Sequence, residues 1–432
     1  MSVTNIKYTR KKLKNGLEVV LAPMPKNPTV TAIILFKIGS RYENEKYAGI
    51  SHFLEHIVFK GNKLYRTPQE LAAAIDALGG SFNAFTSKEF TGFHIKLGSE
   101  FLEIALRWLG QLVTTPLIPI NDVETERKVI LEEINMYNDT PTAQIGYIFE
   151  ELIFPKSPLG RNIIGSEKSL REIKQGQLVD HFEKNYLPTN AVLAIAGDLS
   201  GLKDKKNSLD EYFKFRTGCR ENIRNEDNPN KQGKNLQKVR AVYKKTDQTH
   251  LVLGAKTFSY LDKRRYPLAL ISTIMGGGMS SWAFSEIREK RGLAYYVRSS
   301  TELHKDTGSY SINAGLNNEK LELAVKEIIK LFGRARNKLV SLQELKKAKD
   351  HLIGGMLLER ETSEDIASLI GSEIAIRGKV TPFSEEVRMI RSVSRTELKL
   401  LAERLFAPDM LFLAFIGPWK KKDEQNLAKL IK

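Results

Sequence analysis

The 432-residue chain has a single cysteine, Cys219. A lone thiol excludes an internal disulfide and a cysteine-rich zinc site, and it suits a reducing compartment. Long apolar runs are missing as well. TAIILFKIG is broken by Lys37 and reads as a buried strand, far short of the roughly 20 residues that span a bilayer. The opening, MSVTNIKYTRKKLKNGLEVVLA, is basic but has neither an apolar core of signal-peptide length nor a small-residue cleavage site. The expectation is a cytoplasmic protein with no membrane partner. Acidic residues are in deficit, 51 against 67 Lys and Arg, for a formal charge of +16. Such an excess invites nucleic acid, yet the lysines are scattered through YTRKKLKNG, YKKTD, ELKKAKD and WKKKDEQ without an aromatic-interleaved stripe. Solvated basic faces are the simpler reading, and nucleic acid is not expected as a partner.

What is present is one plan written twice. The stretch TGCRENIRNEDNPNKQGKNLQK, residues 217–238, is polar and nearly devoid of apolar side chains, and it reads as an exposed linker. The flanking segments keep step with each other. TVTAIILFKIGSRYENEKYAGISHFLEHIVFKG and QTHLVLGAKTFSYLDKRRYPLALISTIMGGG each run from an apolar strand through a Tyr-bearing charged turn into a helix ending at glycine. GGSFNAFTSKEFTGFHIKL and RGLAYYVRSSTELHKDTGSYSINAGL each read as two pairing strands. SEFLEIALRWLGQLV and NEKLELAVKEIIKLF follow with apolar residues at helical spacing. The expected fold class is α+β: two tandem homologous domains, each an antiparallel-rich sheet packed with helices. Their expected boundaries are 1–216 and 239–432.

Histidine is scarce, seven in all, yet GISHFLEHIVFKG places His52 and His56 four residues apart. On a helix they project side by side, about 40° apart, and can grip one metal ion. Glu55 lies on the flank of the same helix, placed to take a proton from an attacking water. HFLEH is an H-x-x-E-H sequence, the reversed form of the H-E-x-x-H zinc-protease signature. Two histidines on an apolar helix could also be hydrogen-bonded core residues, so a third ligand is needed. INDVETERKVILEEINMYNDTP offers one. Asn121 or Asp122 can cap a helix whose Val129, Ile130 and Ile134 face inward. Glu126 and Glu133, seven apart, share a face with Ile130 between them, whereas Glu132 points to solvent. A carboxylate on a partly buried face needs a cation. Glu133 is therefore the candidate third ligand, and Glu126 the candidate partner for a histidine N–H.

An H-x-x-E-H followed about 77 residues later by the glutamate of ERKVILEEI resembles the pitrilysin (M16) family of zinc metallopeptidases. Within it the chain is most similar to the short subfamily that includes the mitochondrial processing peptidase β subunit and bacterial relatives. GSRYENEKYAGISHFLEHIVFKG, GGSFNAFTSKEFTGF, ERKVILEEINMYNDTP, SPLGRNIIGSEKSL and REKRGLAYYV carry the resemblance in family order over nearly the whole chain. The resemblance implies zinc on His52, His56 and Glu133, with Glu55 as general base and Glu126 behind the ligands. It implies that the strand with Asn83, Ala84 and Phe85 takes a peptide as an added strand. It also implies that Arg288 and Tyr295 hold the substrate carbonyl and steady the oxyanion.

Laying Tyr266 on Tyr47 puts Ile271, Ile274 and Met275 where His52, Glu55 and His56 stand, so one zinc per chain is expected. Family architecture implies a half-clamshell, completed by a second copy in a homodimer or by a paralogue. The expected function is a zinc-dependent endopeptidase acting on peptides or unfolded precursor segments. The alternatives are a catalytically silent structural subunit and a basic nucleic-acid-binding protein.

Overall fold

The computed structural model describes residues 5–202, 208–216, 218 and 237–431. The expected linker, apart from Gly218, Gln237 and Lys238, lies outside them. Strands β1 (Thr9–Lys12), β2 (Glu18–Pro23), β3 (Thr29–Phe36), β4 (Ser81–Thr86), β5 (Thr91–Gly98) and β6 (Ala191–Gly197) form the first sheet, in the order β1-β2-β6-β3-β5-β4. Strands β7 (Val239–Tyr243), β8 (Gln248–Thr257), β9 (Ala294–Leu303), β10 (Gly308–Asn317) and β11 (Leu411–Gly417) form the second, in the order β7-β11-β8-β10-β9. The main helices are α1 (Ile50–Val58), α2 (Leu102–Thr114), α3 (Ile120–Asp139), α4 (Pro141–Ile153), α5 (Arg265–Gly276), α6 (Leu321–Asn337), α7 (Leu342–Leu358) and α8 (Ser363–Arg377).

The repeat is visible strand by strand. β2 pairs parallel with β6, as β7 does with β11. The β3–β6, β3–β5 and β4–β5 pairs are antiparallel, and so are β8–β11, β8–β10 and β9–β10. The fold is α+β, with two copies of one sheet-and-helix plan. β1 is an addition to the first copy.

The compact units are not the contiguous halves. One gathers Met1–Asn135, Arg161–Glu226 and Leu358–Ser384; the other gathers Met136–Gly160, Asp227–Leu357 and Glu385–Lys432. Each unit thus takes a helix from the other's stretch of sequence. The reason lies in the central strands. β3 from Val30 onward, and β6 throughout, are buried, and a strand buried on both faces needs a second covering layer. In the first unit α8 supplies it. Ile366, Ala367, Ile370 and Ile374 pack on Val20, Ile33, Leu35, Val192 and Ala194. The Ser363 hydroxyl is 3.0 Å from that of Thr29 and 2.9 Å from that of Thr31, which fixes where the helix starts on the sheet. In the second unit α4 does the same, with Ile145, Ile148, Phe149 and Leu152 on Val252, Phe412, Ala414 and Ile416. Each such aliphatic side chain contributes about 1.5–3 kcal/mol by leaving water.

Candidate metal centre

α1 starts abruptly because two features force it to. Gly49 sits in the left-handed region at φ 95°, and a Cβ there would lie 2.5 Å from the Ile164 carbonyl oxygen. The Glu43 carboxylate then accepts the Gly49 N–H at 2.7 Å and the Ser51 N–H at 2.8 Å, satisfying donors that a helix start leaves open. Glu43 is buried, and burial pushes its carboxyl up to about 7 despite those two hydrogen bonds and the nearby Arg161. From that start Ile50, Phe53, Leu54, Ile57 and Val58 turn into the core. His52, Glu55 and His56 are left half-buried on the other face.

α3 brings up the carboxylates. Glu133 Oε2 lies 3.7 Å from His52 Nε2 and 3.7 Å from His56 Nε2. The two rings are 4.7 Å apart at 59°. One ligand atom from each of the three residues falls within 4.8 Å of the others. Tetrahedral bonds of about 2.1 Å place zinc ligands roughly 3.4 Å apart, so the carboxylate–imidazole separations need only a small closure. Behind His56, Glu126 Oε2 lies 3.1 Å from Nδ1. Its other oxygen is ion-paired with Lys60. Glu126 is 5% exposed, and these two partners compensate its buried charge. The contact directs the His56 proton to Nδ1 and leaves the Nε2 lone pair facing Glu133. His52 Nδ1 is buried with no hydrogen-bond partner among the described residues, so only one imidazole is oriented in this way.

The electrostatics suit a cation. Burial, with the neighbouring His56 adding to it, lowers the His52 imidazole to about 3, so it is neutral with a free lone pair. Burial raises Glu133, against the pull of His56. Burial likewise raises Glu55; the Thr86 hydroxyl and His56 oppose the shift, and Glu133 adds to it. A divalent cation among these groups would favour the ionised carboxylates. Two imidazoles and a carboxylate are a donor set that zinc accepts with one position open.

Some expectations about α3 are corrected. The helix begins at Ile120, so Asn121 and Asp122 lie inside its first turn and do not cap it. Val129 does not face inward: it is 47% exposed, because one residue's 100° turn from Ile130 carries it off the buried stripe. Ile130 is fully buried, and Glu132 is exposed.

Asn83, Ala84 and Phe85 lie on β4, the edge strand of the first sheet, with Asn83 and Phe85 exposed and Ala84 half-buried. Arg288 and Tyr295 belong to the second unit. Arg288 is exposed, its guanidinium 4.7 Å from the Phe284 ring centre, and Tyr295 is 57% exposed on β9, the edge of the second sheet. In α5, Ile271, Ile274 and Met275 are buried at 4%, 8% and 1% exposure, on the face that Leu54, Ile57 and Val58 occupy in α1. The expected placement is corrected by two residues: the half-buried positions that match His52, Glu55 and His56 are Ala269, Ser272 and Thr273. Sequence reasoning missed Glu43, Lys60 and Thr86. Lys60 had a legible signal, standing one helical turn past His56. Nothing local marks the other two.

A two-copy α+β chain with a His-His-Glu cluster among its described residues defines a class: a candidate metalloprotein on a duplicated scaffold. The chain belongs to peptidase family M16: the insulinase (peptidase family M16) pattern matches residues 18–167, and the peptidase M16 inactive domain matches 172–352. It is 32% identical over 408 residues to an "Uncharacterized zinc protease" of Rickettsia felis, covering 94% of this chain and 97% of that protein. It is 30% identical to "Uncharacterized zinc protease YmxG" of Bacillus subtilis, at 94% and 97% coverage. A protease structure from Helicobacter pylori superposes with a TM-score of 0.85 at 24% identity, over 96% of this chain and 100% of that one. The family and the relatives' names imply zinc and, at family level, peptide substrates. Among the described residues no helix is long and apolar enough to cross a membrane.

Proposed function

We propose that the chain is a zinc-dependent endopeptidase cutting peptides or unfolded precursor segments, with one zinc per chain held by His52, His56 and Glu133. The observation that carries this reading is the meeting of these three side chains, with the Glu126–Lys60 pair behind His56. Bound there, zinc would polarise the scissile carbonyl and acidify the attacking water. Glu55 takes the proton that this water loses as its oxygen bonds to the carbonyl carbon, and returns it to the amine as the C–N bond breaks. Glu126 holds His56 in the ligating tautomer. The backbone of Asn83, Ala84 and Phe85 seats the peptide as an additional strand. Arg288 and Tyr295 steady the oxyanion. In a homodimer they would serve the partner chain's centre, and a paralogous partner with the same half-site could stand in. The matching half-buried face of α5 carries Ala269, Ser272 and Thr273, with no histidine or carboxylate, which supports a single centre per chain.

The test compares wild type with Glu55→Gln on a quenched fluorescent peptide, alongside metal analysis. Both proteins should hold one zinc, and the variant should lose roughly 100- to 10,000-fold in kcat. A variant as active as wild type, or a wild type that binds no zinc, rejects the reading.

A further inference from the structure

The Thr86 hydroxyl, the last side chain of β4, donates to Glu55 Oε2 at 2.5 Å. We infer that Thr86 is the positioning residue for the reacting carboxylate, fixing Glu55 from the strand on which the peptide is seated. The inference rests on the proposed role of Glu55 as general base. Along β4, residues 82, 84 and 86 are half-buried while 81, 83 and 85 are exposed. Thr86 therefore faces inward toward α1, with the exposed residues on the opposite side of the strand. A charged acceptor makes this a strong, directional bond, and it leaves Glu55 Oε1 as the oxygen available to a water proton.

The hydroxyl sits where it does because the turn after it is rigidly held. Thr86 pairs with Thr91 across β5, and the Ser87 N–H closes the turn on the Phe90 carbonyl at 2.7 Å. The segment before α1 docks on this turn. Ser40 N–H reaches the Ser87 carbonyl at 3.1 Å, and Arg41 N–H reaches that of Lys88 at 2.9 Å. Gly39 permits the approach, since a Cβ there would lie 2.4 Å from the Ser87 carbonyl oxygen. Beside it the buried Arg41 guanidinium pairs with the buried Glu89 carboxylate at 2.5 Å. Lys88 Nζ donates to the Arg161 carbonyl at 2.7 Å, and Arg161 Nη2 donates to the Glu43 carbonyl at 2.9 Å. Glu43 in turn caps α1, the helix that carries Glu55. The circuit closes on itself. Both ends of the Thr86–Glu55 bond are thus fixed by one buried network, and the bond sets a single carboxylate orientation.

The full-length zinc-loaded protein tests this with Thr86→Val, Thr86→Ala and Thr86→Ser, reading kcat, KM and zinc affinity by chelator competition. Val and Ala should each lower kcat roughly 10- to 100-fold, with KM and zinc affinity within about twofold of wild type. Ser should restore kcat to within about threefold, because it returns the donor. Unchanged kcat in Val and Ala overturns the inference. So does a rise in KM alone, which would make Thr86 part of the peptide seat, or a loss of zinc, which would make it a scaffold residue. Failure of Ser to rescue also overturns it. Wild type and Glu55→Gln run in parallel separate the two levels. If wild type is inactive or Glu55→Gln is fully active, the functional reading fails; if that pair behaves as proposed and Thr86→Val is normal, only the role of Thr86 falls.

Discussion

The two units share a sheet order and a helix plan, and they differ at one helix face. On α1 that face carries His52, Glu55 and His56, half-buried around a polar cluster. On α5 the matching half-buried face carries Ala269, Ser272 and Thr273, while Ile271, Ile274 and Met275 lie on the core face with Leu268, Trp282 and Val340. A buried polar group is costly unless it is partnered. The first unit meets that cost with Glu133, Glu126 and Lys60, whereas the second keeps only an alanine and two hydrogen-bonded hydroxyls on this face. What the comparison teaches is that a metal centre is dispensable to this scaffold. One copy can specialise in chemistry because the other shows that small uncharged side chains suit the same place.

The largest effect should come from making the first unit resemble the second. His56→Thr, which copies Thr273, should weaken zinc affinity by more than the roughly 10- to 100-fold expected when an outer partner of a ligand is lost. Chelator competition would measure it, and affinity within tenfold of wild type would break the assignment. A second experiment asks whether the units serve each other across chains. Glu55→Gln and Arg288→Ala, each inactive alone, should regain about a quarter of wild-type activity when subunits are mixed and allowed to exchange. Half of the dimers would then be hybrids with one intact site of two. No recovery in exchanged mixtures would mean that both groups act within one chain.

The smallest effect is a pH dependence peculiar to the first unit. The Glu43 carboxyl is raised by burial to about 7. The native state therefore holds this proton more tightly than the unfolded chain does. The stabilisation is fully present below the ordinary carboxylate range near 4.5 and is lost as pH rises through about 7. In urea unfolding, superimposed on an opposite contribution from the lowered His52 imidazole, the Glu43 contribution should decline on the order of 1–3 kcal/mol between pH 5 and 8. Glu43→Gln, which carries no proton to lose, should flatten it, and equal slopes in the two proteins would remove Glu43 as the cause.

Much of this was legible one residue at a time. The strand and helix periodicities, written twice, the spacing of His52 and His56, and the shared face of Glu126 and Glu133 are all local patterns. The exchange of α4 and α8 was not legible. Their apolar faces state that they must be covered, and leave open by which sheet. Val129 was misplaced because an apolar residue beside a buried one looks buried until the helix phase is known. Thr86 and Glu43 were invisible because a hydroxyl or carboxylate shows no sign of its partner until the chain closes over it.

By itself the sequence determined which elements form and which side chains can bind a cation, since both depend on neighbours within a few turns along the chain. Only the tertiary structure decided which carboxylate meets the imidazoles, which helix closes each sheet, and which groups hold α1 and Glu55 in place. Those outcomes depend on separations of a few ångströms between residues tens to hundreds of positions apart, and no local pattern encodes them.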